Sequence, residues 1–248
     1  MSVTIHQFPC LSDNYGFLVR DDATGKVACI DTPDAAAILA ELEKLGWGLD
    51  LILNTHWHAD HAGGNAEIAK ATGATSVGPV EVERLVPVDR KVSGGDVVDL
   101  GETRFTVIES GGHTLGHVAY FDAADEVAFV GDTLFTLGCG RMFEGTPEQF
   151  WASLERLAAL PDATRIYCAH EYTASNARFA LSVDADPVLK ARTDEIFAAR
   201  ERGEWTVPTT LGLERATNPF LRAPVLRPDL APHEAFAAIR SAKDSFKG

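Results

Sequence analysis

Short β-branched or aromatic runs recur along the first two-thirds of the chain, at Val3–Phe8, Tyr15–Val19, Val27–Ile30, Leu51–Leu53, Arg104–Ile108, Val118–Phe121 and Val127–Val130. Turn residues separate them, and the pattern predicts a β-rich region. Helical periodicity interrupts it. In Asp34–Leu45, the residues Ala35, Ile38, Leu39, Leu42 and Leu45 form an i, i+3, i+4, i+7 stripe, and Asn65–Ala71 is patterned similarly. Pro147–Leu160 opens on Thr146 as N-cap with proline in the first turn, and stops at Pro161. After Tyr167-Cys-Ala-His170 the character changes. Helical segments near Ala174–Leu181, Pro187–Arg202 and Pro232–Lys243 dominate, joined by a proline-bearing connector. The change predicts two domains, residues 1–171 and 172–248.

Composition narrows the class. With 46% hydrophobic and 23% charged residues over 248 positions, the chain is that of a globular protein, neither disordered nor disulfide-framed. Its net charge of −14 argues against nucleic acid or an anionic membrane as partner. The last thirty residues, Pro219–Gly248, reverse the sign to a net of +2. Cys10, Cys29, Cys139 and Cys168 are scattered without a C-x-x-C pair, as expected of reduced thiols. The N-terminus carries neither a basic leader nor an apolar h-region, and no run approaches a bilayer span. A cytoplasmic location is the expectation.

The chemistry concentrates at the ends of apolar runs. Leu51-Ile-Leu leads into Asn54-Thr-His-Trp-His-Ala-Asp-His61, three histidines and an aspartate within six residues. His56 and His58, at i and i+2, point to one side of an extended chain. Asp60 and His61 fall where the chain turns into a helix, and Gly63-Gly64 permit a tight approach. Four such side chains exceed what one tetrahedral ion with an open position takes, and fit two ions about 3.5–4 Å apart. Three more runs end alike, on His113, Asp132 and His170. His56, His58 and His113 then suit one ion, and Asp60, His61 and His170 the other, with Asp132 and a water bridging. Mixed nitrogen and oxygen ligands suit zinc first, with iron or manganese as alternatives. His117 is expected to orient the site rather than ligate. Asp31, ending Val27–Ile30, is a candidate either to support a ligand from behind or simply to turn the chain at a strand end. His6 and His233 lack such context and are expected at the surface or in minor packing.

The motif Thr55-His-Trp-His-Ala-Asp-His61, with Gly112-His-Thr-Leu-Gly-His117 and Gly131-Asp132, resembles the metallo-β-lactamase superfamily. Asp13-Asn-Tyr15, Gly131-Asp-Thr-Leu-Phe135, Gly138-Cys-Gly140, Cys168-Ala-His-Glu-Tyr172 and Asn218-Pro-Phe-Leu-Arg222 are similar to glyoxalase II, the hydroxyacylglutathione hydrolases. The resemblance covers the whole chain. It implies an αββα sandwich followed by a small, all-helical substrate-binding domain. The implied activity is hydrolysis of the thioester S-lactoylglutathione, the second step of methylglyoxal detoxification; a monomer is the expectation, though no residue pattern sets the oligomeric state.

The resemblance also assigns substrate contacts. Arg141 fills the cationic position after Gly-Cys-Gly, Tyr172 is the tyrosine after His-Glu, and Arg240 and Lys243 supply a basic pair at i, i+3. Without that family context, the basic pair would read as a solvated helix end. One position departs: Phe143 stands where the family usually has a second tyrosine.

A water acidified between two cations would attack the thioester carbonyl, with Asp132 and Asp60 as the carboxylates closest to the chemistry. The thiolate leaves without a strong general acid. The alternative is a mononuclear iron persulfide dioxygenase of the same superfamily. β-Lactamase action would call for an export signal, and a nuclease is disfavoured by the charge.

Overall fold

The strand-like start of the chain builds a long antiparallel pair, β1 (Val3–Cys10) and β2 (Asn14–Asp21), in register from Val3 opposite Asp21 to Cys10 opposite Asn14. The computed structural model describes residues 2–248. They form two compact units: one runs to Glu109 and resumes for Gly116–Gly131, and the other joins Ser110–Leu115 to Asp132–Gly248.

In the first unit, β3 (Val27–Ile30) lies antiparallel to β2, and β4 (Leu51–Leu53), β5 (Thr75–Gly78) and β6 (Arg90–Lys91) follow in parallel. Parallel neighbours need crossovers, and helices supply two of them. The first is α1 (Ala35–Leu45), where Asp34 accepts the Ala37 N–H at 3.1 Å and Gly46 ends the helix at φ 66°. The second is α2 (Ala59–Ala62) with α3 (Asn65–Thr72). Their apolar faces bury Ile38, Leu42 and Ile68 against Leu18, Cys29 and Ile52 of the sheet. Each fully buried aliphatic side chain contributes about 1.5–3 kcal/mol.

A second sheet, β7 (Val97–Leu100), β8 (Thr103–Glu109), β9 (Val118–Asp122) and β10 (Val127–Gly131), pairs antiparallel in the order β10-β9-β8-β7. It faces the first sheet through Phe129, whose ring lies 5.7 Å from Phe17 and 6.3 Å from Phe105. The Tyr120 hydroxyl donates to the Asn54 carbonyl at 2.8 Å, which ties β9 to the segment following β4. The strands predicted by apolar runs are present. β5, β6 and β7 are additional, being less uniformly apolar than the equally short β3 and β4.

The second unit holds the hairpin β11 (Leu134–Phe135) and β12 (Gly138–Cys139), then α4 (Pro147–Ala158) and β13 (Arg165–Cys168). There follow α5 (Thr173–Val183), α6 (Pro187–Glu201), β14 (Thr209–Thr210), α7 (Leu211–Thr217), α8 (Ala223–Leu226) and α9 (Pro232–Ser245). The predicted connector therefore contains β14, which pairs with β13, and two short helices.

A buried polar knot sets the hairpin. Arg192 pairs with Glu214, Glu214 accepts the Leu137 N–H at 2.8 Å, and Asn218 donates to the carbonyls of Phe135 and Gly138 at 3.1 and 2.9 Å. These bonds hold the turn in which Leu137 takes a left-handed φ of 56°. Among the described residues, no helix is long and apolar enough to cross a membrane.

Candidate active site

In the first unit, β4 delivers its C-terminal residues to a turn that becomes α2, and four predicted ligands meet there. His56 Nε2 lies 3.0 Å from His58 Nδ1, and His61 Nε2 lies 3.5 Å from Asp60 Oδ2. His56 and His61 are buried, while His58 and Asp60 are partly open. A Cβ on Gly63 would fall 2.4 Å from the Ala59 carbonyl, and one on Gly64 2.8 Å from that of Thr32, so both positions require glycine. Asn14 donates to Asp60 Oδ2 at 3.2 Å, a role that its place in the sequence did not announce.

Hydrogen bonds behind these histidines fix their tautomers. Asp31, buried and in left-handed backbone at φ 55°, accepts the Thr55 N–H at 2.7 Å and the Thr55 hydroxyl at 2.8 Å. It also lies 2.8 Å from His61 Nδ1. A carboxylate cannot donate, so His61 Nδ1 carries the proton and Nε2 presents its lone pair toward Asp60. Thr55 spends its single hydrogen on Asp31, so at 3.0 Å its oxygen accepts from His56 Nδ1, which leaves His56 Nε2 basic as well. The supporting role expected of Asp31 is thus observed, with Thr55 as its extension.

His117 lies buried and stacked on His56, with ring centroids 4.7 Å apart and the planes inclined by 27°. It packs behind the site. Gly131, at φ 49°, makes room, since a Cβ there would fall 2.7 Å from His117 Nε2. His6 pairs with Glu41 at 2.8 Å and His233 lies 3.6 Å from Glu148, both apart from the ligand groups.

The second unit brings His113, Asp132 and His170 together. His113 Nε2 stands 3.4 Å from Asp132 Oδ2, and His170 Nε2 3.4 Å from Asp132 Oδ1, so one carboxylate spans two imidazoles. His113 Nδ1 lies 2.8 Å from the Arg141 carbonyl and donates to it, and Nε2 therefore faces the carboxylate as a second acceptor. The same opposition occurs at His61 and Asp60. Lone pairs facing at 3.4–3.5 Å call for a cation, and imidazole with carboxylate is a donor set suited to zinc, iron or manganese. These residues fit divalent metal ions.

The loop carrying His113 is seated on α4. A Cβ on Gly112 would strike Phe150 at 2.4 Å, and Ser153 and Gln149 donate to the carbonyls of Gly111 and Leu115. A Cβ on Gly140 would lie 2.0 Å from the Asp132 carbonyl, which accounts for the second glycine of Gly138-Cys-Gly140.

His113 and Asp132 line one part of a cavity of about 490 Å³ within this unit, and Arg141, Tyr172, Arg240 and Lys243 line the rest. Tyr172 stacks on His170 at 4.7 Å with the rings 2° from parallel. Phe143 is 61% exposed and meets His113 edge-on at 5.3 Å. Arg240, which sequence alone would place on a solvated helix end, is 5% exposed. It donates to the Cys139 carbonyl and to Asp244, both at 2.9 Å, and lies over the Phe220 ring at 5.0 Å. Lys243 donates to the carbonyl and hydroxyl of Ser175 at 3.0 and 3.1 Å. Burial, reinforced by Arg240, Arg178 and Arg141, pushes its ammonium down to about 8.

All four cysteines are free and buried in strands. Burial pushes the thiols of Cys10 and Cys168 up to about 12, that of Cys139 to about 11 and that of Cys29 well above its ordinary range, which disfavours the thiolate in all four.

Residues 17–170 match the metallo-β-lactamase superfamily model, and residues 171–246 match the hydroxyacylglutathione hydrolase C-terminus. The chain is 56% identical to hydroxyacylglutathione hydrolase of Erythrobacter litoralis over 98% of its own length and 99% of that protein's. It is similar to the crystal structure of ETHE1 from Myxococcus xanthus, with a TM-score of 0.71 at 27% identity, covering 96% of this chain and 90% of that one. It is also similar to TTHA1623 in a di-iron-bound form, with a TM-score of 0.63 at 26% identity, covering 88% and 100% of the two chains.

Proposed function

This chain belongs to the hydroxyacylglutathione hydrolase family of the metallo-β-lactamase superfamily, and on that footing we propose that it hydrolyses S-lactoylglutathione and related 2-hydroxyacyl glutathione thioesters. The observation that carries the reading is the 490 Å³ cavity, in which the metal-ligand type residues His113 and Asp132 share one enclosure with Arg141, Arg240 and Lys243. Glutathione carries two carboxylates, and a chain of charge −14 needs local cations to hold them. The cavity's size lies within the range of pockets that enclose small ligands.

His56, His58 and His113 would hold one divalent ion and Asp60, His61 and His170 a second, with Asp132 shared. The tautomers set by Asp31, Thr55 and the Arg141 carbonyl support this assignment. Zinc is the first choice and iron an alternative, as TTHA1623 is described with two irons. Bound there, such ions supply an acidified water and positive charge for the developing oxyanion.

The chain's own groups do the rest. Lys243 and Arg141 take the anionic end of the thioester, and Arg240 fixes the wall between them through Cys139 and Asp244. Tyr172, stacked on His170, forms an apolar side for the acyl-thiol portion. The thiolate leaves with a conjugate-acid pKa of about 8.5, so no further acid is required. We read the enzyme as a cytoplasmic monomer.

The test is an assay of purified protein on S-lactoylglutathione, an acyl thioester lacking glutathione, glutathione persulfide and a cephalosporin, with elemental analysis alongside. Turnover of the first substrate with two ions per chain is expected. A single iron with oxygen consumed on the persulfide would overturn the reading in favour of a dioxygenase.

Phe143 provides a finer check. A tyrosine hydroxyl there, beside His113, would add one hydrogen bond to the glutathione moiety, worth about 0.5–1.5 kcal/mol. Phe143→Tyr should therefore lower KM about two- to tenfold and leave kcat nearly unchanged. Saturation curves of the two proteins decide it. An unchanged or raised KM would mean that the pocket is shaped around the phenylalanine.

A further inference from the structure

Lys243 is held by more than its helix. Its ammonium lies 5.4 Å from the ring centroid of Phe179, on α5, and 5.7 Å from that of Phe246, the residue that caps α9. The two rings meet nearly edge-on at 5.5 Å. The Phe246 N–H donates to the Lys243 carbonyl at 3.2 Å, which places the aromatic ring beside the lysine that precedes it by one helical turn. Phe246 lines the same cavity as Lys243 and Ser175. An ammonium has three hydrogens. Ser175 takes two of them through its carbonyl and its hydroxyl.

We propose that Phe246 is a positioning residue: its ring and that of Phe179 clamp the Lys243 ammonium against Ser175, so that one N–H is directed to an anionic group of the substrate. The clamp is a property of this chain's own packing. Only its consequence for substrate rests on the hydrolase reading.

Two effects act on Lys243 in opposite directions. The ring faces attract the charged form, while the rings also exclude water and penalise it. The charged groups around it are Arg240 and Asp244 on its own helix, Arg178 on α5, and Arg141 after β12. Three of these four are cations, and with burial they bring the lysine to about 8. Its charge is present below that pH and lost above it, so affinity for an anionic thioester should fall as pH rises through 8. Opening one side of the clamp restores water, so the titration midpoint should move upward, and the side chain gains rotamers.

The experiment follows the Lys243 side chain by NMR titration in the parent, Phe246→Ala and Phe246→Leu, with Lys243→Met to assign the resonance. Initial-rate kinetics across the same pH range accompany it. In Phe246→Ala the midpoint should rise toward that of an ordinary lysine. KM below pH 8 should increase about two- to fivefold, the value of one lost cation–π contact, with kcat nearly constant. Phe246→Leu keeps apolar cover but loses the ring contact, so its midpoint should lie at or slightly below the parent's rather than rise. If the alanine variant does not fold, Phe246→Leu is read by KM below pH 8: a rise of about two- to fivefold supports the clamp, and an unchanged KM overturns it.

A midpoint unmoved in a folded Phe246→Ala protein overturns the proposal. A midpoint that rises with KM unchanged upholds the clamp and overturns the direction of an N–H to the substrate, whereas a midpoint that rises in a protein without thioester turnover is a failure of the hydrolase reading alone.

Discussion

Asp132→Ala is expected to lower kcat by more than about a hundredfold and to strip metal from the protein. The side chain stands between two imidazoles, with one oxygen 3.4 Å from His113 and the other 3.4 Å from His170. Alanine removes both oxygens at once, and each histidine is left facing open space where it had shared an anion. Loss of a group that only supports a metal ligand typically costs ten- to a hundredfold in affinity or activity, so loss of a shared ligand should exceed the upper end of that range. Asp132→Asn retains one carbonyl oxygen and should fall between the parent and alanine. The measurement is kcat with metal content on the same samples. Parent-like turnover in the alanine variant would remove Asp132 from the reaction.

How far the site could be read in advance depended on whether its signals were local. His56, His58, Asp60 and His61 lie within six residues at the end of a strand, and His113, Asp132 and His170 each lie at the end of an apolar run or in the loop that follows it. Strand ends are where a sheet releases its side chains into loops, so these positions were visible in the pattern itself. The hydrogen bonds behind them were not. Asp31 reaches residues 24 and 30 positions away, and nothing in the run Val27–Ile30 distinguishes an aspartate that sets two imidazoles from one that merely ends a strand.

The same distance effect explains Arg240. Its spacing to Lys243 describes an exposed helix face, yet its carbonyl partner, Cys139, is 101 residues earlier and Phe220 supplies the ring beneath it. Strands β5 to β7 escaped for a different reason. The equally short β3 and β4 are apolar throughout, whereas Thr75-Ser-Val-Gly78, Arg90-Lys91 and Val97-Val-Asp-Leu100 contain polar residues or glycine, and pairing with neighbouring strands defines them.

Asp31→Asn should uncouple both histidines that the carboxylate controls. Asn tolerates the left-handed backbone that Asp31 occupies at φ 55°, so the substitution changes chemistry with little change in conformation. Three donors point at this one group: the Thr55 N–H, the Thr55 hydroxyl and His61 Nδ1. An amide offers one acceptor oxygen and one donor nitrogen. If the nitrogen faces the Thr55 N–H, two donors clash. If it faces the other side, it opposes both the hydroxyl and the imidazole.

His61 escapes that clash by moving its proton to Nε2, which occupies the lone pair directed toward Asp60. Thr55, released from Asp31, no longer has to accept from His56, and the tautomer of that ring is freed as well. In the ligand assignment above, His56 and His61 belong to different ions. One substitution should therefore weaken both sites together, each by about ten- to a hundredfold. Metal retained after dialysis against a graded series of chelator concentrations measures this directly. Parallel loss of the two ions is the expected result. Retention of both at the parent's chelator midpoint would show that Asp31 does not govern the ligands, and loss of only one would break the relay through Thr55 while leaving the direct bond to His61.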